Sequence, residues 1–171
     1  MATRYIALLR AVNVGGTGTL AMSDLKAMCA ELGFTEVATY IASGNVVFDS
    51  RASAATVKRK LETRLAAHAG KPVGVMLRTA AEMAAVLAAN PFKTTPGKHT
   101  HAIFFDAAPS RDAVATASGR ADEEMRLGKR EIYLHYPSGM GRSKLKIPAA
   151  KSGTTRNMNT IARLAEMAGA P

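Results

Sequence analysis

Two sets of polar residues in this sequence have the types and spacing to hold an anion. The first comprises Arg10, Asn13, Gly15 and Gly16, which follow an apolar run, with Ser43, Gly44 and Asn45 further along. A guanidinium beside backbone N–H groups and a carboxamide offers charge-assisted and neutral donors to a carboxylate or phosphate. The second comprises Arg142, Ser143 and Lys144 with Thr155, Arg156, Asn157 and Thr160. Two arginines and a lysine supply charge there, and Thr154 or Thr155 at the start of a helix would add that helix's unbonded N–H groups. Both sets also have a structural reading. Glycine supplies turn geometry, Ser and Asn bond their own backbone, and a basic stretch forms a solvated face.

Other chemistries fit less well. His99 and His101 would share one side of a strand, but no third ligand of the right kind accompanies them, and Cys29 lies on an apolar helical stripe. We expect no metal and no cofactor. Glu123 and Glu124 are consecutive in a strand and point to opposite faces, so they cannot share a substrate. His68 and His135 stand alone. The segment Gly139–Lys144 lacks the spacing of a phosphate-binding P-loop, and no G-x-G-x-x-G opens a helix after a strand. Ser23–Lys26, Ser43–Asn45 and Lys151–Gly153 mimic the three motifs of penicillin-binding enzymes in order, but the first two are crowded together and the chain is too short for that fold. No general base has a partner, so whether this is an enzyme, and of what reaction type, stays open.

The totals narrow the partners. Lys and Arg number 23 against 13 Asp and Glu, a formal net charge of +10, which concentrates polyanions and phosphorylated metabolites around the surface. The expected partner is therefore a phosphorylated small molecule or a nucleic acid. A rival reading is an enzyme with its pocket where the Arg10/Asn13 and Ser43/Asn45 loops meet, with Arg142 or Arg156 reaching it from the other half. A third is a structural or protein-interaction module. One Cys excludes an intrachain disulfide, and no secretory leader opens the chain. No run approaches the roughly 20 apolar residues of a spanning helix. We expect a cytoplasmic protein with no membrane association.

The elements that must position these residues are legible from periodicity. Arg4–Leu9 reads as a buried strand, followed by a helix with Leu25, Met28, Cys29 and Leu32 on one stripe and Gly33 at its C-terminus. Two strands, Glu36–Ile41 and Val46–Phe48, form a hairpin through Ser43-Gly44-Asn45. A second helix from Ser53 carries Val57, Leu61 and Leu65 and stops at Gly70-Lys71-Pro72, before a strand over Val73–Leu77. Thr79 and Glu82 make a capping box for a third helix, closed by Asn90-Pro91. The pattern then repeats: a strand at His101–Phe105, a short helix from Pro109-Ser110, a hairpin of Glu123–Leu127 and Ile132–Tyr136, an irregular basic stretch over Ser138–Gly153, and a final helix with Ile161, Leu164, Ala165 and Ala168.

The expected fold class is α+β: two ferredoxin-like, βαββαβ-type subdomains with antiparallel sheets, the second half less regular. The boundaries are 1–78 for the first, 79–98 for a connecting helix and loop, and 99–171 for the second with its basic loop and terminal helix.

Three stretches resemble one family: Leu8-Leu9-Arg10-Ala11-Val12-Asn13-Val14-Gly15-Gly16, Thr39-Tyr40-Ile41-Ala42-Ser43-Gly44-Asn45-Val46-Val47-Phe48, and Gly141-Arg142-Ser143-Lys144-Leu145 with Thr155-Arg156-Asn157-Met158-Asn159-Thr160. They are similar to the signatures of the domain-of-unknown-function 1697 family. The resemblance implies a soluble, mostly bacterial protein with ferredoxin-like subdomains and no established activity. The chain departs from the family pattern in places. Thr17-Gly18-Thr19 stands where basic residues often follow the loop glycines, Met158 where tryptophan is common, and Ala11 and Ala42 replace a usual glycine and glutamine. The first departure weakens a phosphate cradle in the loop, and the second removes a flat face for stacking a base.

Overall fold

The computed structural model describes residues 1–13 and 19–169. Within them the chain divides into two compact units, Met1–Ala84 with Leu164–Pro171, and Ala85–Arg163.

The first unit is built from β1 (Thr3–Leu9), α1 (Met22–Glu31), β2 (Thr35–Thr39), β3 (Asn45–Ser50), α2 (Ala54–Ala69) and β4 (Val75–Thr79). The strands lie in the order β2-β3-β1-β4, every neighbour antiparallel. Alternation explains the core. Tyr5, Ala7 and Leu9 of β1, Val46 and Phe48 of β3, and Val75 and Leu77 of β4 point to one face, where Leu25, Met28 and Cys29 of α1 and Val57, Leu61 and Leu65 of α2 meet them. The other face is buried as well: Ile6, Leu8, Val47, Met76 and Arg78 are each at most 4 % exposed. Burial on both faces is why these strands read as continuous apolar runs instead of alternating ones. Helix α2 has sharp ends, with Ser53 Oγ accepting from Thr56 N at its start and Gly70 in the left-handed region at its close. Lys58 Nζ donates to the Val75 carbonyl at 2.6 Å, and Glu62 Oε2 accepts from Val75 N at 3.0 Å, which ties α2 to β4.

Helix α3 (Ala80–Ala88) opens on the expected capping box: Thr79 N donates to Glu82 Oε1 at 2.8 Å and Glu82 N donates to Thr79 Oγ1 at 3.1 Å.

The second unit repeats the strand order with fewer helices. Its strands are β5 (Thr100–Phe104), β6 (Glu124–Leu127), β7 (Glu131–His135) and β8 (Thr154–Asn157), arranged β6-β7-β5-β8 and again antiparallel throughout. Two expectations are corrected here. The segment after Pro109-Ser110 forms turns over residues 111–116 and no helix. Its apolar positions, Ala113, Val114 and Ala117, reach the core without a full helical period. The residues 154–157 form a strand, and α4 (Met158–Met167) begins only after it. The cap is therefore Asn157, whose Oδ1 accepts from Thr160 N at 2.9 Å, and not Thr154 or Thr155. Pairing of β8 with β5 outweighs the local capping preference of the threonines. The basic stretch between the hairpin and β8 contains short 3-10 turns at Met140–Arg142 and Pro148–Ser152. Leu145, Ile147, Ala149 and Ala150 from this stretch cover the same core face as Ile103, Ile132 and Leu134.

Candidate functional site

The first polar set is brought together within the first unit. Leu9 N donates to the Gly44 carbonyl at 2.8 Å, so the end of β1 and the β2–β3 loop are adjacent. Asn13 closes the loop that follows β1. Its Oδ1 accepts from Leu20 N at 2.6 Å, and its Nδ2 donates to the carbonyls of Leu20 and Ala42 at 2.7 and 2.8 Å. Asn45, fully buried, donates to the Tyr40 carbonyl and to Ser43 Oγ, both at 2.8 Å. Both carboxamides thus serve backbone and loop closure. Gly44 adopts φ +89°, and a Cβ there would stand 2.5 Å from Val12 Cγ2 and 2.9 Å from Leu9 Cβ. That close approach is what lets the two loops touch. Gly15 and Gly16 lie outside the described residues.

Arg10 takes a different position. Its backbone N donates to the Gly74 carbonyl at 2.8 Å, extending the β1–β4 edge, and its side chain lines a cavity of about 360 Å³. The lining also includes the end of α2 and the turn into β4, with His68, Lys71 and Pro72. Val12, Leu20, Leu65 and Val73 supply an apolar lining. Three basic side chains from two segments therefore surround the cavity, and no described lining residue is acidic. Sequence inspection identified Arg10 but missed Lys71 and His68. The only available signal was that Gly70-Lys71-Pro72 ends a helix whose C-terminus must return to the sheet edge carrying Arg10.

The second polar set lies in the second unit, where its members are spread over different elements. Arg142 and Lys144 are exposed. Ser143 turns inward, and its hydroxyl donates to Glu123 Oε2 at 2.5 Å. Glu123 Oε1 also accepts from Ala121 N at 2.5 Å. The Ser143 hydroxyl, then the backbone N–H groups, hold the Glu123 carboxyl below its ordinary range. Burial, then the Glu123 charge, raises Tyr136. The Tyr136 ring meets His101 edge-on at 5.3 Å. Among the described residues His101 Nδ1 is buried without a hydrogen-bond partner, and burial, followed by His99, lowers the pKa of that imidazole. His99 itself sits in the 3-10 turn Gly97–His99 ahead of β5.

Arg156 lies on β8 opposite Ala102 and is buried. Its Nη1 donates to Thr154 Oγ1 at 2.7 Å and to the Thr155 carbonyl at 2.9 Å, and burial brings its pKa down to about 10. Thr155, also on β8, pairs with Ile103 of β5, and Thr160 N donates to Asn157 Oδ1. Arg10 and Asn45 belong to one compact unit, Arg142 and Arg156 to the other.

Among the described residues, two four-stranded antiparallel sheets and four α-helices place the chain among mixed α+β proteins. The model of a family described as protein of unknown function (DUF1697) matches residues 2–133, and the chain belongs to that family. The matched residues include the first two signature stretches but not those around Ser143 and Asn157. The whole fold is similar to that of the conserved bacterial protein SP0830 from Streptococcus pneumoniae, at 28% identity and a TM-score of 0.82, covering 98% of this chain and 99% of that one. No curated protein matches the chain. Among the described residues no helix is long and apolar enough to cross a membrane.

Proposed function

We propose that the chain binds a small phosphorylated molecule in the cavity of its first unit. The observation that carries this reading is the convergence of Arg10, His68 and Lys71 on a concavity of about 360 Å³ with apolar walls and no acidic lining among the described residues. Its size falls in the range of small-molecule sites, roughly 300–1,000 Å³. Cations at the rim attract the phosphate, while Val12, Leu20, Leu65 and Val73 suit a less polar body. A small ligand is favoured over a base-stacked nucleic acid because Tyr5, Tyr133 and Tyr136 are 4, 2 and 6 % exposed, which leaves the half-buried Tyr40 as the one ring of the four tyrosines that is not buried. The carboxamides of Asn13 and Asn45 are bonded to backbone, and we assign no reaction to the cavity.

Thermal shift against inorganic phosphate, sugar phosphates and nucleotides tests the reading. A ligand present at about 100 times its Kd stabilises the fold by ~2.7 kcal/mol, a shift of several degrees. The expected result is that at least one phosphorylated compound stabilises the wild type, that Arg10→Ala and Lys71→Ala lose the shift, and that Lys144→Ala keeps it. If no phosphorylated compound shifts the wild type, the proposal fails.

A further inference from the structure

A separate feature of the second unit leads to a different partner. From Arg142 to Ile147 exposure alternates: Arg142, Lys144 and Lys146 are exposed, while Ser143, Leu145 and Ile147 are half-buried. The inward residues are anchored. Ser143 bonds Glu123, and Leu145 and Ile147 pack on the core. The backbone is held from the side as well, by an antiparallel bridge in which Ser118 N donates to the Lys146 carbonyl at 2.9 Å and Lys146 N donates to the Ser118 carbonyl at 2.8 Å. Gly119 lies so close to the Lys144 carbonyl that no Cβ would fit between them. Lys144 and Lys146 thus stand on a pinned segment whose alternate residues face outward, and Arg142 closes the 3-10 turn that leads into it.

Their electrostatic situation differs from that of the ion-paired cations of the first unit. Arg4 pairs with Asp49, Lys58 with Glu62 and Arg64 with Glu31. Among the described residues the side chains of Arg142, Lys144 and Lys146 make no hydrogen bond or ion pair. The acidic group beside the segment, Glu123, directs its carboxylate to Ser143 and to Ala121 N. Three like charges in a row repel one another, and a counter-charge of matching linear form relieves that repulsion.

We infer that the Arg142-Lys144-Lys146 ridge is a docking surface for the phosphodiester backbone of a nucleic acid strand. The contact is through charge alone, since the tyrosines of the sheet beneath, Tyr133 and Tyr136, are buried and cannot stack bases. An acidic peptide presents carboxylates in place of phosphates. The net charge of +10 favours the polyanion of higher linear charge density.

Fluorescence anisotropy of a labelled oligothymidylate over a salt series tests this on the whole chain. The wild type should bind, with log K falling linearly in log salt. R142Q/K144Q/K146Q should weaken binding at low salt and reduce the slope by about two, since each phosphate contact on a single strand contributes roughly 0.7. K26Q/R59Q/K60Q removes the same charge from exposed positions of α1 and α2 and should leave the slope nearly unchanged. Arg10→Ala should behave as wild type, which separates this surface from the cavity. The inference is overturned if the wild type does not bind, if the two triple variants weaken binding equally, or if poly-glutamate displaces the oligonucleotide at equal charge concentration.

Discussion

The two units solve the same packing problem differently. Both lay four antiparallel strands in the order second, third, first, fourth. In the first unit α1 and α2 cover one face, with 10 and 16 residues. In the second unit turns around Ala113 and the extended segment through Leu145 and Ile147 do the covering. The choice of cover decides what happens to the surface charges. A helix brings residues four apart together, and Lys58 and Glu62 neutralise each other at 2.9 Å. A cover without helix sends Lys144 and Lys146 outward between its buried residues, and with Arg142 from the preceding 3-10 turn the result is a ridge of one sign. The end of α2 and its turn into β4 also line a cavity together with Arg10 and Val12.

The comparison breaks most visibly at Gly44. Gly44→Ala must accept both a left-handed backbone and a Cβ inside Val12 and Leu9, and should cost about 3 kcal/mol in urea unfolding, with the β1 and β3 amides losing hydrogen-exchange protection first. Asparagines sharpen it next. Asn13→Ala removes three bonds that close a loop and should cost about 2 kcal/mol, whereas Asn157→Ala removes one helix cap and should cost about 1 kcal/mol. Equal losses would mean that the loop junction of the first unit is no more demanding than the helix start of the second.

Acidification should separate the units further. His101 has its folded pKa lowered, so the fold prefers the neutral imidazole. Stability is complete above the unfolded value of 6.5 and is lost as the pH falls through it toward the folded value. His99 and Tyr136 are the titratable groups that face it. Glu123 is also lowered. Its contribution is present above the unfolded value of 4.5 and disappears as the pH falls through the folded one. Exchange protection in β5 and β7 should therefore weaken before that in β1 and β3, and His101→Leu should abolish the step near neutrality. The same weakening in His101→Leu would show that the imidazole is not its source. The smallest effect belongs to the ridge: neutralising Arg142, Lys144 and Lys146 should change unfolding stability by no more than ~0.5 kcal/mol, because these side chains are exposed and unpaired among the described residues.

Much of the fold was legible before any coordinates. The capping box at Thr79 and Glu82, the left-handed Gly33, and the start of α2 near Ser53 with its stop at Gly70 are local features, written within a few residues, and each appears where the sequence predicts. The strand Thr154–Asn157 was not legible. Four polar residues ahead of an amphipathic helix resemble a cap, and only the free edge of β5 makes them a strand. Lys71 and His68 escaped for a similar reason. A basic residue after a helix is unremarkable until the turn into β4 sets it beside Arg10.

By itself the sequence determined the element order of the first unit, the capping box at Thr79 and Glu82, and the sign of the charge, because these depend on residue type and on neighbours a few positions away. Tertiary structure alone decided which polar groups were consumed and which were left to face solvent. The Asn13 and Asn45 amides found backbone partners across loops, and Ser143 found Glu123, while the cations beside Ser143 stayed outside. That division is set by which distant segments meet, and burial requires every polar group they enclose to be bonded to something within reach.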